Sequence, residues 1–144
     1  MRAVRDELGQ SIVELALSLP LLAFMLLGGA DMARGYAIQL AVQNGARAGA
    51  EAAAVDHSPT STEAEARARD EMDRTPGMVA AGATVTVTFA QADGSACSDP
   101  PTVLSPCFAT VRVQHTFSTI TPWPLIPNQF EFDRSTSMRM FATP

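Results

Sequence analysis

There is no lysine in this chain of 144 residues: all ten basic side chains are arginine, set against fifteen acidic ones, and the formal net charge is −5. No stretch gathers the arginines into a basic stripe. That removes the electrostatic footprint by which a protein neutralises a phosphate backbone, so nucleic acid is excluded as a partner. Cysteine and histidine are also scarce. Two cysteines (Cys97, Cys107) and two histidines (His57, His115), well separated in sequence, do not make a zinc-type ligand set. A glycine-rich phosphate loop is missing, and no serine or cysteine stands at a recognised family spacing from a histidine. The expectation is a protein that is not an enzyme and carries no cofactor or metal. Charged residues are few as well, 17% against 47% hydrophobic, which is not the composition of a disordered chain. The length allows one modest domain plus an extra element.

The most apolar stretch is Ile12 to Ala30. Within it only Glu14 and Ser18 are polar, and Leu15 to Ala30 carries no charge. About 20 helical residues cross the roughly 30 Å hydrocarbon core of a bilayer, so this segment can just span one. Pro20 removes one backbone bond and should bend the helix. No turn chemistry follows Ala30. Asp31 and Arg34 are spaced to pair on one helical face. Met32, Tyr36 and Leu40, then Ala46 and Ala50, continue an apolar stripe toward Val55. A single helix from Ser11 to Val55, nearly 70 Å long, is expected to end at "HSPTST", His57 to Thr62.

Thr62 and Glu65 have capping-box spacing, and the short polar helix that follows, "EAEARARDEMDR", reads as a solvated surface helix ending at Thr75–Gly77. Beyond it the pattern has period two. Val85, Val87 and Phe89 share one face of a first strand, and "ADGS" turns the chain. Val111, Val113, His115 and Phe117 share a face of the second strand, where His115 reads as a satisfied core or rim histidine. Phe130, Phe132, Met138 and Met140 align on the third. "TPWPLIP" cannot be a central strand because proline lacks the N–H. A sheet with one apolar face needs a cover, which the Ala-rich stripe of the long helix can supply. The fold class expected is α+β: a long N-terminal helix, half in a membrane and half soluble, packed on a small antiparallel sheet. If the soluble part is extracytoplasmic, Cys97 and Cys107, with nine residues between them, pair naturally as a disulfide; free thiols are the alternative.

One feature is costly and asks for a reason. Glu14 places a carboxylate at the edge of an apolar helix, in "GQSIVELALSLPLL". This stretch resembles the amino-terminal signature of type IV pilin-like proteins, and most closely the TadE-like pseudopilins of the tight-adherence pilus machinery. The resemblance continues through Asp31, Arg34, Asn44, Ala46 and Arg47 and returns in outline near the end of the chain. It departs in the leader, where Asp6 and Glu7 offset Arg2 and Arg5, and at Gly28–Gly29, where larger apolar residues are usual.

The resemblance implies a division into a prepilin leader (1–9), a transmembrane and assembly helix (10–30) and an extracytoplasmic pilin-like domain (31–144). It implies that a membrane prepilin peptidase cuts between Gly9 and Gln10, making Glu14 the fifth residue of the mature chain. The new amine on Gln10 of one subunit could then meet Glu14 of a neighbour. Other pilin-type helices, an inner-membrane assembly platform and membrane lipid are the implied partners. Two rivals remain. A signal peptide cleaved after Ala30 would give a secreted protein, and a single-span membrane protein could have no connection with pili. A lysine-donating subunit of a sortase-linked pilus is excluded, because there is no lysine to donate.

Overall fold

A computed structural model describes residues 3–55, 60–97 and 101–141, residues 3–8 in their backbone only. The side chains of the leader, Arg2, Arg5, Asp6 and Glu7 among them, and His57 lie outside the described residues. The elements in order are helix α1 (Ala3–Val55), helix α2 (Ser61–Asp73), a single 3₁₀ turn (Ala80–Gly82), and strands β1 (Thr84–Gln91), β2 (Cys107–Ser118) and β3 (Gln129–Arg139). The strands form one antiparallel sheet in the order β1-β2-β3. This is the α+β, pilin-like architecture the sequence pattern implies.

Helix α1 runs 53 residues through Pro20 without ending, about 80 Å at 1.5 Å per residue. It starts eight residues before the Ser11 expected from the sequence, because Gly9 lowers helix propensity without stopping a helix whose flanks favour it. Its first half stands clear of the rest of the protein. Ile12, Leu15, Leu17, Leu21 and Leu26 are all exposed. The segment is long and apolar enough to cross a membrane, and a continuous apolar surface of this size marks a site for lipid or for other helices.

The second half of α1 covers the sheet with its Ala-rich stripe, as expected, but Met32, Tyr36 and Leu40 do not belong to that face. Met32 and Tyr36 are 79% and 64% exposed, and Leu40 is also exposed. The buried face is Asp31, Ile38, Ala41, Val42, Ala46, Ala50, Ala53 and Ala54. The reason is geometric. Steps of four overshoot a 3.6-residue turn by about 40° each, so Met32, Tyr36 and Leu40 drift off the seam that mixed steps of three and four follow. Ala46 and Ala50 do lie on that seam.

Small residues on the seam let α1 approach both neighbours closely. Ile38, Val42, Ala46 and Ala50 join Val85, Val111, Val113 and Phe117 in one core, and Ala53 joins Cys107, Ala109 and Met140 in a second. On the other flank α2 is less solvated than its composition suggests. Its Ala64, Ala68 and Met72, spaced four apart, are buried against Gly45 and Gly49 of α1. A Cβ on Gly49 would lie 2.9 Å from the Ala64 carbonyl oxygen, and one on Gly45 would lie 2.6 Å from Met72 Cγ. The cap of α2 also sits two residues earlier than expected. Thr60, extended at φ −101°, accepts from the Glu63 amide at 3.1 Å and donates to the Glu63 carboxylate at 2.8 Å. Thr62 lies in the first turn. Both threonines have the capping spacing, and the earlier one wins by adding helical residues. Arg69 then ties the 3₁₀ turn down, donating to the carbonyls of Ala80 and Ala83 at 2.8 and 2.9 Å.

β1 turns at Gly94, whose φ of +84° suits glycine, while Asp93 accepts from the Ser95 amide and hydroxyl. The outer face of the sheet is polar, with Arg112 paired to Asp133 across β2 and β3. Cys97 and Cys107 are joined in a disulfide with Cα atoms 5.6 Å apart. It lies beside the second core, near the C-terminal end of α1. Opening it in the folded chain is expected to cost roughly 2–3 kcal/mol, the chain-entropy value for so short a loop. Non-reducing peptide mapping of protein taken from the cell should recover Cys97 and Cys107 linked. Two alkylatable thiols in the mature protein would contradict both the bond and an extracytoplasmic domain.

Candidate functional site

Gly9, Gln10 and Glu14 share the projecting part of α1. Gln10 and Glu14 are four positions apart, which puts them one turn apart on the same face, and the Gln10 side-chain amide donates to Glu14 Oε1 at 3.0 Å. The Ser18 hydroxyl donates to the Glu14 carbonyl at 2.8 Å. Glu14 stands on the open surface of the helix with Ile12, Val13, Leu15 and Leu17 exposed around it. A Cβ added at Gly9 would meet nothing within 4 Å, so the Gly9–Gln10 bond is not crowded by the described side chains. In a bilayer this is a carboxylate on an apolar helix, a group that ordinarily implies a partner of opposite charge or a hydrogen-bond donor.

A second polar centre lies where the apolar stretch ends. Asp31 is 4% exposed, the one buried polar or charged residue among those described. Its Oδ1 accepts from the Ile120 amide at 2.9 Å and from Arg34 at 3.2 Å, and its Oδ2 accepts from the Thr121 amide at 3.2 Å and the Trp123 indole at 3.3 Å. The Ile120 amide, with Thr121, Trp123 and the Arg34 charge behind it, holds the Asp31 carboxyl below the usual carboxylate range; burial opposes this. The Asp31–Arg34 pair expected from spacing forms, as one of four contacts to this carboxylate. Asp31 is chiefly a clasp that fixes the β2–β3 loop, residues 119–128, to the helix. Above it, Arg34 lies over the Phe117 ring, 5.4 Å from its centroid.

Trp123 reaches below the clasp. Its ring faces Phe24, centroids 6.2 Å apart, and a Cβ added at Gly28 would come within 3.3 Å of the indole. The small residue that departs from the family pattern at position 28 thus makes room for Trp123; at Gly29 the same addition meets nothing. Between α1, the ends of β2 and β3 and this loop runs an open apolar groove of about 440 Å³, lined by Met32, Tyr36, Trp123, Ile126, Phe130 and Phe132 among others.

The structure thus brings Gly9, Gln10 and Glu14 together at one end of the molecule and leaves the Cys97–Cys107 disulfide at the other. Asp31, Trp123 and Gly28 form a site that sequence reasoning missed. The available signal was a lone aspartate closing an apolar helix in a chain with one tryptophan. His115 is half-buried, and its Nδ1 is buried with no hydrogen-bond partner, so it is not the fully satisfied histidine expected. No group of three or more potential metal ligands occurs among the described residues.

No curated protein and no solved structure matches the chain. The family model described as TadE-like protein matches residues 9–51, from the glycine of the candidate junction through Glu14 and Asp31 to the seam that covers the sheet. The resemblance drawn from "GQSIVELALSLPLL" and its continuation is therefore borne out over this helix: residues 9–51 are similar to the TadE-like family.

Proposed function

We propose that the protein is a minor pseudopilin of a Tad-type pilus, a non-enzymatic subunit that a prepilin peptidase cuts between Gly9 and Gln10. The observation that carries this reading is the placement of Glu14 on the exposed apolar half of a helix whose residues 9–51 match the TadE-like family. In this reading the N-terminus is cytoplasmic, the helix over residues 10–30 spans the inner membrane and the sheet domain is extracytoplasmic. The match supports association with pilus components; the processing site, the partners and a part in surface adherence are proposed from it.

The physical logic concerns charge. Before cleavage the Gln10 nitrogen is a neutral amide. Cleavage makes it a cation, about one turn from Glu14 along each helix. In a bundle, Glu14 of one subunit and the Gln10 amine of another neutralise each other where water is scarce. Processing would then license assembly, because an unpaired charge in such surroundings costs several kcal/mol.

Glu14→Ala tests this. Insertion should be slightly easier, since a carboxylate near the membrane disfavours it, and leader cleavage should persist. Co-purification with the major pilin or a second pseudopilin should fall severely. A variant that inserts, is cleaved and co-purifies at the wild-type level would show that Glu14 has no assembly role.

A further inference from the structure

We infer that residues 119–128 form a second membrane contact, with Trp123, Leu125 and Ile126 at the acyl-chain boundary of the leaflet from which α1 emerges. The inference rests on residues 10–30 being the span. Four observations carry it.

The first is depth. Asp31 is the first charged residue after the apolar stretch, which places it at the membrane surface. Gly28 and Phe24, which Trp123 touches, lie about 4.5 and 10 Å further back along the helix. The Trp123 ring is therefore level with the outer part of the hydrocarbon.

The second is orientation. The indole N–H points back toward the surface, to Asp31, while the ring faces apolar Phe24. An apolar body inside and a polar handle at the surface is how tryptophan sits in the interfacial belt of membrane proteins.

The third is the absence of charge around it. Between His115 and Glu131 no residue carries one. Leu125 is 94% exposed and Ile126 53%, and Ile126 lines the apolar groove with Met32 and Tyr36 of α1.

The fourth is the backbone. Irregular chain enters an apolar medium only when its polar groups are satisfied. Here Pro122, Pro124 and Pro127 have no N–H to satisfy. The Ile120 and Thr121 amides go to Asp31, the Thr119 amide to the Asn128 carbonyl at 3.0 Å, and the Trp123 amide to Asn128 Oδ1 at 2.6 Å. The loop has already paired or deleted most of the donors that contact with lipid would otherwise strand.

A loop seated this way would hold the sheet domain at a fixed height and tilt above the bilayer. The chain has a single tryptophan, so its fluorescence reports this loop alone. The experiment uses the full chain in phosphatidylcholine nanodiscs, with lipids brominated on the upper part of one acyl chain as one quencher and aqueous iodide as the other. The expected result is a severalfold loss of Trp123 emission with the brominated lipid and little with iodide. Strong iodide quenching with none from lipid would place the loop in water. Protection from both would mean that protein covers it, such as a second copy. Either result in protein that enters the discs overturns the loop contact and leaves the span intact. Failure to enter the discs overturns the span, and the loop contact with it.

Discussion

Gly49→Val should destabilise the folded domain by roughly 2–4 kcal/mol and lower Tm by on the order of 10 °C. The smallest possible addition at this site, a Cβ, would already stand 2.9 Å from the Ala64 carbonyl oxygen, 3.1 Å from Ala68 Cβ and 3.2 Å from Val111 Cγ1. The nearest of these is backbone and cannot rotate away. Relief requires α2 or the sheet to move off α1, and α2 has few other apolar anchors, since its buried side chains are Ala64, Ala68 and Met72. Glycine inside a helix costs about 1 kcal/mol relative to alanine, so this glycine is retained against its own helix's preference. Valine regains little of that propensity because its χ1 is restricted. Thermal unfolding of the full chain in detergent, followed by circular dichroism, measures the effect. The same change at exposed Gln43 should alter stability by no more than about 0.5 kcal/mol. Equal, small effects at both positions would mean that α2 does not pack as described.

The second large effect concerns processing. Gly9→Leu should leave the protein at precursor size in cells that contain the prepilin peptidase. The described structure shows no obstacle at Gly9, so a bulky residue there need not disturb the fold. Any loss of cleavage then reflects recognition of the junction, and circular dichroism indistinguishable from wild type would confirm that the fold is intact. Normal maturation of Gly9→Leu would remove the leader reading.

Much of the fold was legible because each strand announces itself by alternation. Val85 and Val87, Val111 and Val113, and Phe130 and Phe132 assign three strands and their inner faces without any knowledge of pairing. The apolar run with its single carboxylate assigned the helix and its resemblance. What sequence pattern could not give is which of several candidate faces a helix uses. Ile38 and Val42 on the true seam are at least as apolar as Met32, Tyr36 and Leu40 off it, so hydropathy does not choose between the two sides. The true seam is chosen for smallness, because α1 is covered on two flanks. The same preference hid the buried face of α2, a stripe of two alanines and a methionine that is faint among its charges. The Asp31 clasp was hidden for another reason. Its donors lie some 90 residues away and two of them are backbone amides, which leave no mark in a sequence.

The unbroken course of α1 through Ala30 and Asp31 also bears on the rival in which a signal peptidase cuts after Ala30. That cut would remove Phe24 and Gly28, the partners of Trp123, and turn the clasp residue into a chain terminus. The Tad-type reading keeps all three in the mature protein.

The most direct measurement is the intact mass and terminal peptide of the protein purified from membranes of cells that make the prepilin peptidase. The account predicts a mature chain beginning at Gln10, so that Glu14 is its fifth residue. A chain beginning at Asp31, or one that keeps residues 1–9 in those cells, would contradict it.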